Sequence, residues 1–390
     1  ISEEKIRKMY GNKLYLTVSR LEKYAQCPFG YYIKYGLKAK ERKIFALTPP
    51  DLGTFMHNVI DEFSEAVDKS GLKWYEIEDK WCKNTVSDIV DRKAEESAGG
   101  IFTSSARYKY FTERLKRVLI KTILVIIEHL KRSGFQPIGH EVGFGNEEKY
   151  PPIEIELSSG EKVKLIGRID RVDKLDMEKK DYYRIIDYKS GNKDFSLSDV
   201  YYGLQLQLLT YLDAILTNEE LKDREEALPG GVLYLKIDDP IIKGKRNLSE
   251  EEIQDEIMKA LKMKGLLLAD EDVVKEMDRE IDGNSLIIPA RINKDGSLGK
   301  SSVGTEEQFR LLREHVKKNL IKACEDMLKG DIKIRPIRSK NADACTYCLY
   351  SSICEFDTNF EDNEFKVVQE KKDEEVWELL RKEGEESWEK

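Results

Sequence analysis

The sequence lacks several features that would place it in a common class. No run of about 18 apolar residues occurs, so no membrane-spanning helix is predicted. No secretory signal is visible, and Ile1 stands where a methionine would begin a complete chain, which predicts a fragment of a longer protein. An excess of basic residues is also missing. The net charge of −8 argues against a protein that simply coats nucleic acid, although a nuclease stays compatible because its metal offsets charge at the site.

Histidine and cysteine are scarce, with 4 and 6 residues in a chain of 390. Charged residues make up 36% of the chain, which is typical of a soluble cytoplasmic protein with exposed helices. In such a protein cysteines bind metals more often than they form disulfides. The few cysteines are therefore candidates for a metal site.

Three of the cysteines follow one another closely in Cys345-x2-Cys348-x5-Cys354, and Cys27 lies far upstream. Four thiolates could bind Zn²⁺ or an iron–sulfur cluster. A zinc ribbon usually supplies two close pairs, so three cysteines plus a remote one favour a cubane cluster. The remaining cysteines have no partner at metal spacing and are predicted to be buried thiols: Cys82 and Cys324.

A β-hairpin is predicted between Val163 and Gly191, where two β-rich runs flank a polar turn. If the turn lies at about Met177 to Lys180, antiparallel pairing places Asp170 opposite Asp187. Directly opposed residues have Cβ atoms roughly 4.5–5.5 Å apart, and like charges that close destabilise a sheet unless something binds them. Carboxylate oxygens are ligands suited to Mg²⁺ or Mn²⁺. The hairpin therefore predicts a site for a divalent cation.

Further polar side chains could join this site. Lys189 lies two residues after Asp187, on the same face of the strand, so its ammonium could act on a phosphate held there. Gln207 and Tyr211 are four residues apart and share one face of a predicted helix, where they could hold a DNA phosphate or the lysine. His57 lies off the centre of an apolar helical stripe, and is a ligand only if the fold brings it to the hairpin.

The order of predicted elements is helices, antiparallel strands, a helix, a strand and helices, which favours an α/β fold with a mixed sheet. A capping box at Ser19-Arg20-Leu21-Glu22 is predicted to open the first helix, and Pro49 to Gly53 to form a turn before the next. Helices are predicted at 54–63, 72–98, 107–133, 197–214, 248–279, 305–329 and around 376–380. Strands are predicted at 138–144, 153–157, 163–173, 182–188 and 230–237.

Taken together, these motifs resemble the RecB-type nuclease branch of the PD-(D/E)XK superfamily, and within it the C-terminal nuclease domain of the AddB (RexB) family. The resemblance runs from about Leu16 to Asp357. Its most specific segments are 19–22 with Cys27-Pro28-Phe29, 53–57, 167–173, Asp187-Tyr188-Lys189, 207–211 and the three-cysteine tail.

The resemblance implies a restriction-endonuclease-like α/β core, with a central mixed sheet flanked by helices. It implies one nuclease domain over residues 1–357, with its core at about 50–240. Segments at about 16–36 and 340–357 would be joined by a 4Fe-4S cluster. Residues 358–390 would form an acidic extension.

By the same resemblance, the metal ligands for Mg²⁺ or Mn²⁺ would be His57, Asp170, Asp187 and the carbonyl of Tyr188. The catalytic residues would be Asp170, Asp187, Lys189, Gln207 and Tyr211, the last two matching the family's Gln-x-x-x-Tyr motif. The cluster ligands would be Cys27, Cys345, Cys348 and Cys354. Because these ligands come from both ends of the chain, we predict that the cluster is structural rather than redox-active. Glu141 matches a further acidic position of the family only loosely.

The function implied is a metal-dependent deoxyribonuclease that hydrolyses single-stranded DNA in double-strand break repair and recombination. Its partner would be an AddA-type helicase-nuclease subunit, in a heterodimer. Two alternatives stay open from the sequence. One is a stand-alone iron–sulfur exonuclease of the CRISPR-adaptation type, and the other is a non-catalytic, zinc-stabilised module that binds DNA or acts as a scaffold.

Overall fold

The computed structural model describes residues 1–11, 14–42, 45–177, 180–223, 226–242, 248–339, 343–361 and 363–388. The α-helices are Glu3–Tyr10 (α1), Val18–Gln26 (α2), Pro28–Tyr31 (α3), Pro49–Ser70 (α4), Asp79–Glu96 (α5), Ala106–Lys131 (α6), Leu197–Tyr201 (α7), Gln207–Asp223 (α8), Glu250–Ala260 (α9), Glu271–Met277 (α10), Glu306–Leu328 (α11), Ser351–Cys354 (α12) and Asp373–Trp388 (α13). The strands are Tyr15–Leu16 (β1), Gln136–Phe144 (β2), Ile153–Glu156 (β3), Lys162–Leu165 (β4), Gly167–Met177 (β5), Lys180–Lys189 (β6), Glu226–Lys236 (β7), Lys264–Leu268 (β8), Val303–Gly304 (β9), Ile337–Arg338 (β10) and Lys366–Val367 (β11).

The central sheet has six strands in the order β2-β5-β6-β7-β8-β9. The pairs β2/β5, β5/β6 and β7/β8 are antiparallel, whereas β6/β7 and β8/β9 are parallel. Helix α8 packs against β6 and β7, and α4 contacts β2, α5 and α6. The predicted mixed sheet flanked by helices is therefore confirmed.

The hairpin of β5 and β6 has the predicted register. Its paired residues run from Arg171 opposite Ile186 to Met177 opposite Lys180, and the same register places Asp170 opposite Asp187. The turn residues 178–179 lie outside the described part of the chain. A slip of one residue would send one aspartate to the other face, so the register decides whether a site exists here.

A buried ion-pair network reinforces this register from the opposite face of the hairpin. Arg171 donates two hydrogen bonds of 2.6 Å to Asp173, and Arg184 on the neighbouring strand donates one of 2.7 Å to the same carboxylate. All three side chains are at most 1% exposed. Removing one partner of a buried ion pair typically costs about 3–5 kcal/mol, so these residues strongly favour one register.

One predicted strand and one predicted helix are interrupted in the structure. The strand predicted at 163–173 is two strands, because the chain leaves the small sheet β1-β4-β3 at Ile166, whose N–H donates to the Leu16 carbonyl (2.8 Å), and then enters the central sheet. The helix predicted at 197–214 is also two elements. Gly203 has a φ of 78°, a left-handed conformation that favours glycine and interrupts the helix between α7 and α8.

The other corrections concern element starts and one missed strand. Residues 49–53 are not a turn but the first turn of α4, which Thr48 caps through a reciprocal capping box with Asp51. The capping box predicted at Ser19 is wrong, because α2 starts at Val18 and Glu22 faces another helix. The helix predicted at 248–279 contains β8, a short apolar run that periodicity alone does not distinguish from a buried helix.

The N-terminal helices contact the segment that follows α11. The Tyr24 hydroxyl donates to the Asp331 carbonyl (3.0 Å), and the Tyr350 hydroxyl donates to the Ala39 carbonyl (3.3 Å). Helix α13 packs on α11 and buries Leu380. The division of the chain at residue 357 stays a prediction, and residues 340–342 of the predicted cysteine segment lie outside the described residues. Among the described helices, none is long and apolar enough to cross a membrane.

Candidate active site and cysteine cluster

Three carboxylates form a row across neighbouring strands of the central sheet. The β2/β5 register pairs His140 with Arg171 and Val142 with Ile169, which places Glu141 opposite Asp170. Asp170 in turn lies opposite Asp187 in the register of the hairpin. Glu141 has a φ of 44°, an uncommon left-handed conformation for a residue with a side chain. Strained residues of this kind cluster at functional sites.

Helix α4 brings His57 to this row. Its Nδ1 lies 3.4 Å from Asp170 Oδ1 and 3.8 Å from Glu141 Oε1, and its Nε2 lies 2.9 Å from the Tyr188 carbonyl oxygen. One donor atom from each of His57, Glu141 and Asp170 fits within a mutual distance of 4.8 Å. The structure therefore places Glu141 in the candidate ligand group, although its sequence match was loose. Register arithmetic from the sequence could not find it, because β3 and β4 separate β2 from β5 and no tight turn joins the two strands.

The site also holds Asp170 and Asp187 in defined positions. The backbone N–H of Tyr188 donates to Asp170 Oδ2 (2.7 Å), and the side-chain amide of Gln207 donates to Asp187 Oδ1 (2.9 Å). Lys189 Nζ lies 2.5 Å from Asp187 Oδ2. Gln207 donates in addition to the Tyr211 hydroxyl (3.3 Å), so the predicted helical pair shares one face and reaches the hairpin.

Burial and like charge perturb the acids and bases of this site. Burial and then the neighbouring Asp170 carboxylate raise the pKa of Asp187 to about 6, against the opposing effect of Lys189. Burial lowers the pKa of His57, but its contacts with Asp170 and Glu141 outweigh burial and raise that pKa to about 10. A protonated His57 thus neutralises part of the negative charge that a bound cation would otherwise balance.

Glu22, which the sequence placed in a predicted capping box, is a buried residue that holds the start of α8 next to this site. Glu22 on α2 is 8% exposed, and its Oε1 accepts the backbone N–H groups of Leu206 (2.7 Å) and Gln207 (3.1 Å). These groups belong to the start of α8, where a carboxylate is stabilised by unpaired N–H groups and the helix dipole. Glu22 thereby fixes the residue that holds Asp187. No local pattern in the sequence points to this long-range contact.

We expect substitutions of Glu22 to lower nuclease activity in a graded order. Glu22→Gln keeps an acceptor oxygen for the α8 N–H groups, whereas Glu22→Ala removes it, so cleavage should fall more for alanine, by roughly 10–100-fold as for other residues that orient a ligand. Initial rates on a single-stranded oligonucleotide measure the effect, with Glu256→Gln on the exposed face of α9 as control. Equal rates for wild type, Gln and Ala would contradict a positioning role.

The four predicted cluster cysteines meet at one place. Cys27, Cys345, Cys348 and Cys354 line a cavity of about 150 Å³ between the N-terminal helices and the C-terminal segment. Among the described residues, no three of these thiols have sulfur atoms within 4.8 Å of one another. The two cysteines predicted as buried thiols, Cys82 and Cys324, are both 0% exposed, which confirms that prediction.

Most of the chain matches a family of known proteins. Residues 15–355 match the family model described as the PD-(D/E)XK nuclease superfamily. The chain belongs to this superfamily.

Relatives of this superfamily member are named as the B subunits of ATP-dependent helicase/deoxyribonucleases. That of Clostridium novyi is 98% identical over 390 residues, covering 100% of this chain and 34% of the relative. That of Clostridium acetobutylicum is 55% identical over 383 residues (98% and 33%), and that of Acetivibrio thermocellus is 53% identical over 387 residues (99% and 34%). The chain thus spans about a third of the length of these relatives.

Proposed function

We propose that this chain is the metal-dependent deoxyribonuclease domain of an AddAB-type helicase-nuclease, and that it hydrolyses single-stranded DNA in double-strand break repair and recombination. The observation that carries the proposal is the row of Glu141, Asp170 and Asp187, with His57 at one end and the Lys189 ammonium against Asp187. Superfamily membership and the names of the relatives support the reaction class.

The donor set suits Mg²⁺ or Mn²⁺. The site offers carboxylate and carbonyl oxygens and one imidazole nitrogen, which hard or borderline divalent cations prefer over thiolates. These ligand atoms belong to Asp170, Asp187, Glu141, the Tyr188 carbonyl and His57. A bound cation would neutralise charge on the phosphate and lower the pKa of water. His57 can bind a metal only when the ligating ring nitrogen carries no proton. Metal binding would therefore displace a proton from the His57 ring.

The chain's own residues supply the remaining steps. The Lys189 ammonium lies where it can balance negative charge that develops on the phosphate, which is the effect expected to lower the barrier most. Gln207 fixes Asp187 through its amide, and Tyr211 fixes Gln207. Buried, preorganised groups of this kind need no rearrangement when the reaction begins.

We propose that the four-cysteine cavity holds a 4Fe-4S cluster. Three cysteines close together in the C-terminal segment and one remote cysteine favour a cubane cluster over a zinc ribbon, which usually supplies two close pairs. Thiolates that serve as cluster ligands persist in a reducing compartment, which supports a cytoplasmic location. The relatives are named as one subunit of a larger enzyme, which supports an AddA-type partner.

The proposed reaction predicts strict dependence on a divalent cation. A labelled single-stranded oligonucleotide should be cut in Mg²⁺ or Mn²⁺, and an excess of EDTA should reduce the rate below detection because the clustered carboxylates then have no counter-cation. Product sizes on a denaturing gel measure this. A chain that binds the oligonucleotide in Mn²⁺ without cutting it would instead support the zinc-stabilised scaffold.

A further inference from the structure

A second cavity lies beside the N-terminal helices, outside the active site and next to the four-cysteine cavity. Its volume is about 450 Å³, within the range of small-ligand pockets. Strand β1 and helix α2 contribute to its wall, together with the π-helical turn Tyr32–Gly36 and the residues that follow it. We call it the tyrosine cavity, after the four tyrosines that line it: Tyr10, Tyr15, Tyr31 and Tyr35.

The charge of the tyrosine cavity is opposite to that of the chain. Four cationic side chains line the cavity: Arg20, Lys34, Lys38 and Lys40. Among the described residues, no acidic side chain lines it. Arg20 and Lys34 lie 4.8 and 5.2 Å from the centre of the Tyr35 ring. Within the described part of the chain none of the four has a carboxylate partner, although most cations near the active site are paired. Unpaired positive charge around one cavity in a chain of net charge −8 indicates an anionic ligand.

A buried polar atom in the same cavity gives an independent indication. The Tyr31 side chain is 1% exposed, and its hydroxyl has no hydrogen-bond partner among the described residues. Buried polar groups are normally satisfied, so an unpartnered hydroxyl in the wall of a cavity points to a ligand that accepts or donates there. The rings of Tyr10 and Tyr35 pack against the Tyr31 ring, with centres 5.9 and 4.8 Å away.

We propose that the tyrosine cavity binds a segment of single-stranded DNA, with phosphates on the lysines and a base on the tyrosine rings. Aromatic rings with interleaved cations are how proteins bind single strands without reading their sequence. This inference rests on the proposed nuclease function and adds to it a place where the strand is held away from the point of cleavage.

The fold connects the cavity to the active site. Leu16, in the cavity wall, accepts the N–H of Ile166, and Asp170 lies four residues further along the chain. At about 3.3 Å per extended residue, Ile166 and Asp170 are at most roughly 13 Å apart. One extended strand could therefore occupy both places, whereas the single phosphate of a dinucleotide held at Asp170 leaves no phosphate for the lysines.

The test uses the whole chain and fluorescence anisotropy with a labelled oligothymidylate of about 12 nucleotides, in EDTA so that nothing is cut. Lys34→Glu/Lys38→Glu should weaken binding by about tenfold and lower the slope of log affinity against log salt by about 1.4, the value for two lost phosphate contacts. The control, Lys318→Glu/Lys382→Glu, makes the same change of charge on exposed lysines of α11 and α13, and should bind as wild type does.

Tyr31→Phe removes only the unpartnered hydroxyl. It should weaken oligonucleotide binding several-fold and leave the melting temperature unchanged or higher, because no protein hydrogen bond is lost. Wild-type affinity in both Tyr31→Phe and Lys34→Glu/Lys38→Glu would overturn the proposal. Equal competition by thymidine monophosphate, inorganic phosphate or polyglutamate would overturn it too, since a nucleotide, anion or acidic-peptide pocket would then be the better assignment.

A failure of the tyrosine-cavity proposal can be told apart from a failure of the proposed nuclease function. In Mn²⁺, the Lys34→Glu/Lys38→Glu variant should cut a thymidine dinucleotide at the wild-type rate and the longer oligonucleotide more slowly at limiting substrate. A wild-type chain that cuts no DNA contradicts the nuclease assignment. A variant that cuts both substrates as wild type does contradicts the tyrosine cavity alone.

Discussion

Asp187→Asn and Lys189→Ala should each lower the rate of single-stranded DNA cleavage by a factor of roughly 10³, the effect expected when a preorganised charged group is removed from a reaction centre. Asparagine keeps the shape of Asp187 and can still accept the Gln207 amide, but it lacks the charge that attracts a cation. Alanine at position 189 removes the ammonium that lies 2.5 Å from Asp187. Single-turnover rates in Mn²⁺ measure both variants.

The stability of Asp187→Asn without metal shows whether a lower cleavage rate comes from lost chemistry or from a damaged fold. The pKa of Asp187 in the folded chain is about 6, above its ordinary value of 3.8. Between about pH 4 and 6, Asp187 is therefore protonated in the folded chain but already ionised in the unfolded chain. The folded chain loses stability as the pH rises through that window. Asp187→Asn removes this titration. In EDTA at pH 7.5 the variant should be more stable than wild type, by on the order of 1–3 kcal/mol.

A lysine of the neighbouring strand provides the control for Lys189→Ala. Lys236 lies opposite Lys189 in the β6/β7 register, but its ammonium is paired with Asp238. Lys236→Ala should therefore cut within about threefold of wild type. Cleavage by Lys189→Ala at the wild-type rate, with melting and cluster absorbance intact, would show that the active site lies elsewhere.

The hairpin shows what the sequence could predict about this site. Its register depends on local alternation and on the turn, so Asp170, Asp187 and Lys189 could be placed relative to one another without a structure. Gln207 and Tyr211 were likewise related by helical spacing. In both cases the residues are close in the chain, and a single periodicity carries the geometry.

Contacts between distant segments were beyond that reasoning. His57 reaches the hairpin only because α4 lies against β2, and Glu22 reaches Gln207 across about 185 residues. Nothing local marks Glu22 as a residue that contacts α8, and its position three residues after Ser19 suggested a capping box instead. The strands at 163–173 and 264–268 were misjudged for a similar reason, since tertiary pairing decides where an apolar run bends or stops.

Cys348→Ala should cause the largest loss of stability. The proposed cluster joins Cys27 to a segment about 320 residues away, and a cross-link over such a loop removes entropy from the unfolded chain equivalent to roughly 6 kcal/mol in the chain-entropy model. In Cys348→Ala, hydrogen bonds between the same segments, such as that from the Tyr350 hydroxyl to the Ala39 carbonyl (3.3 Å), would retain only part of that stability. The variant should lose visible absorbance and melt at a lower temperature.

Cys324→Ala provides the control for this variant. Its thiol is fully buried on α11 and lies outside the four-cysteine cavity, so alanine there leaves a small void and costs local packing alone. We expect it to keep the full visible absorbance and to melt only slightly below wild type. Unchanged melting of Cys348→Ala would contradict a structural cluster. Absorbance retained after Cys348→Ala would show that the four cysteines do not hold the chromophore, because a cubane bound by three thiolates and exposed on one side should be lost on purification in air.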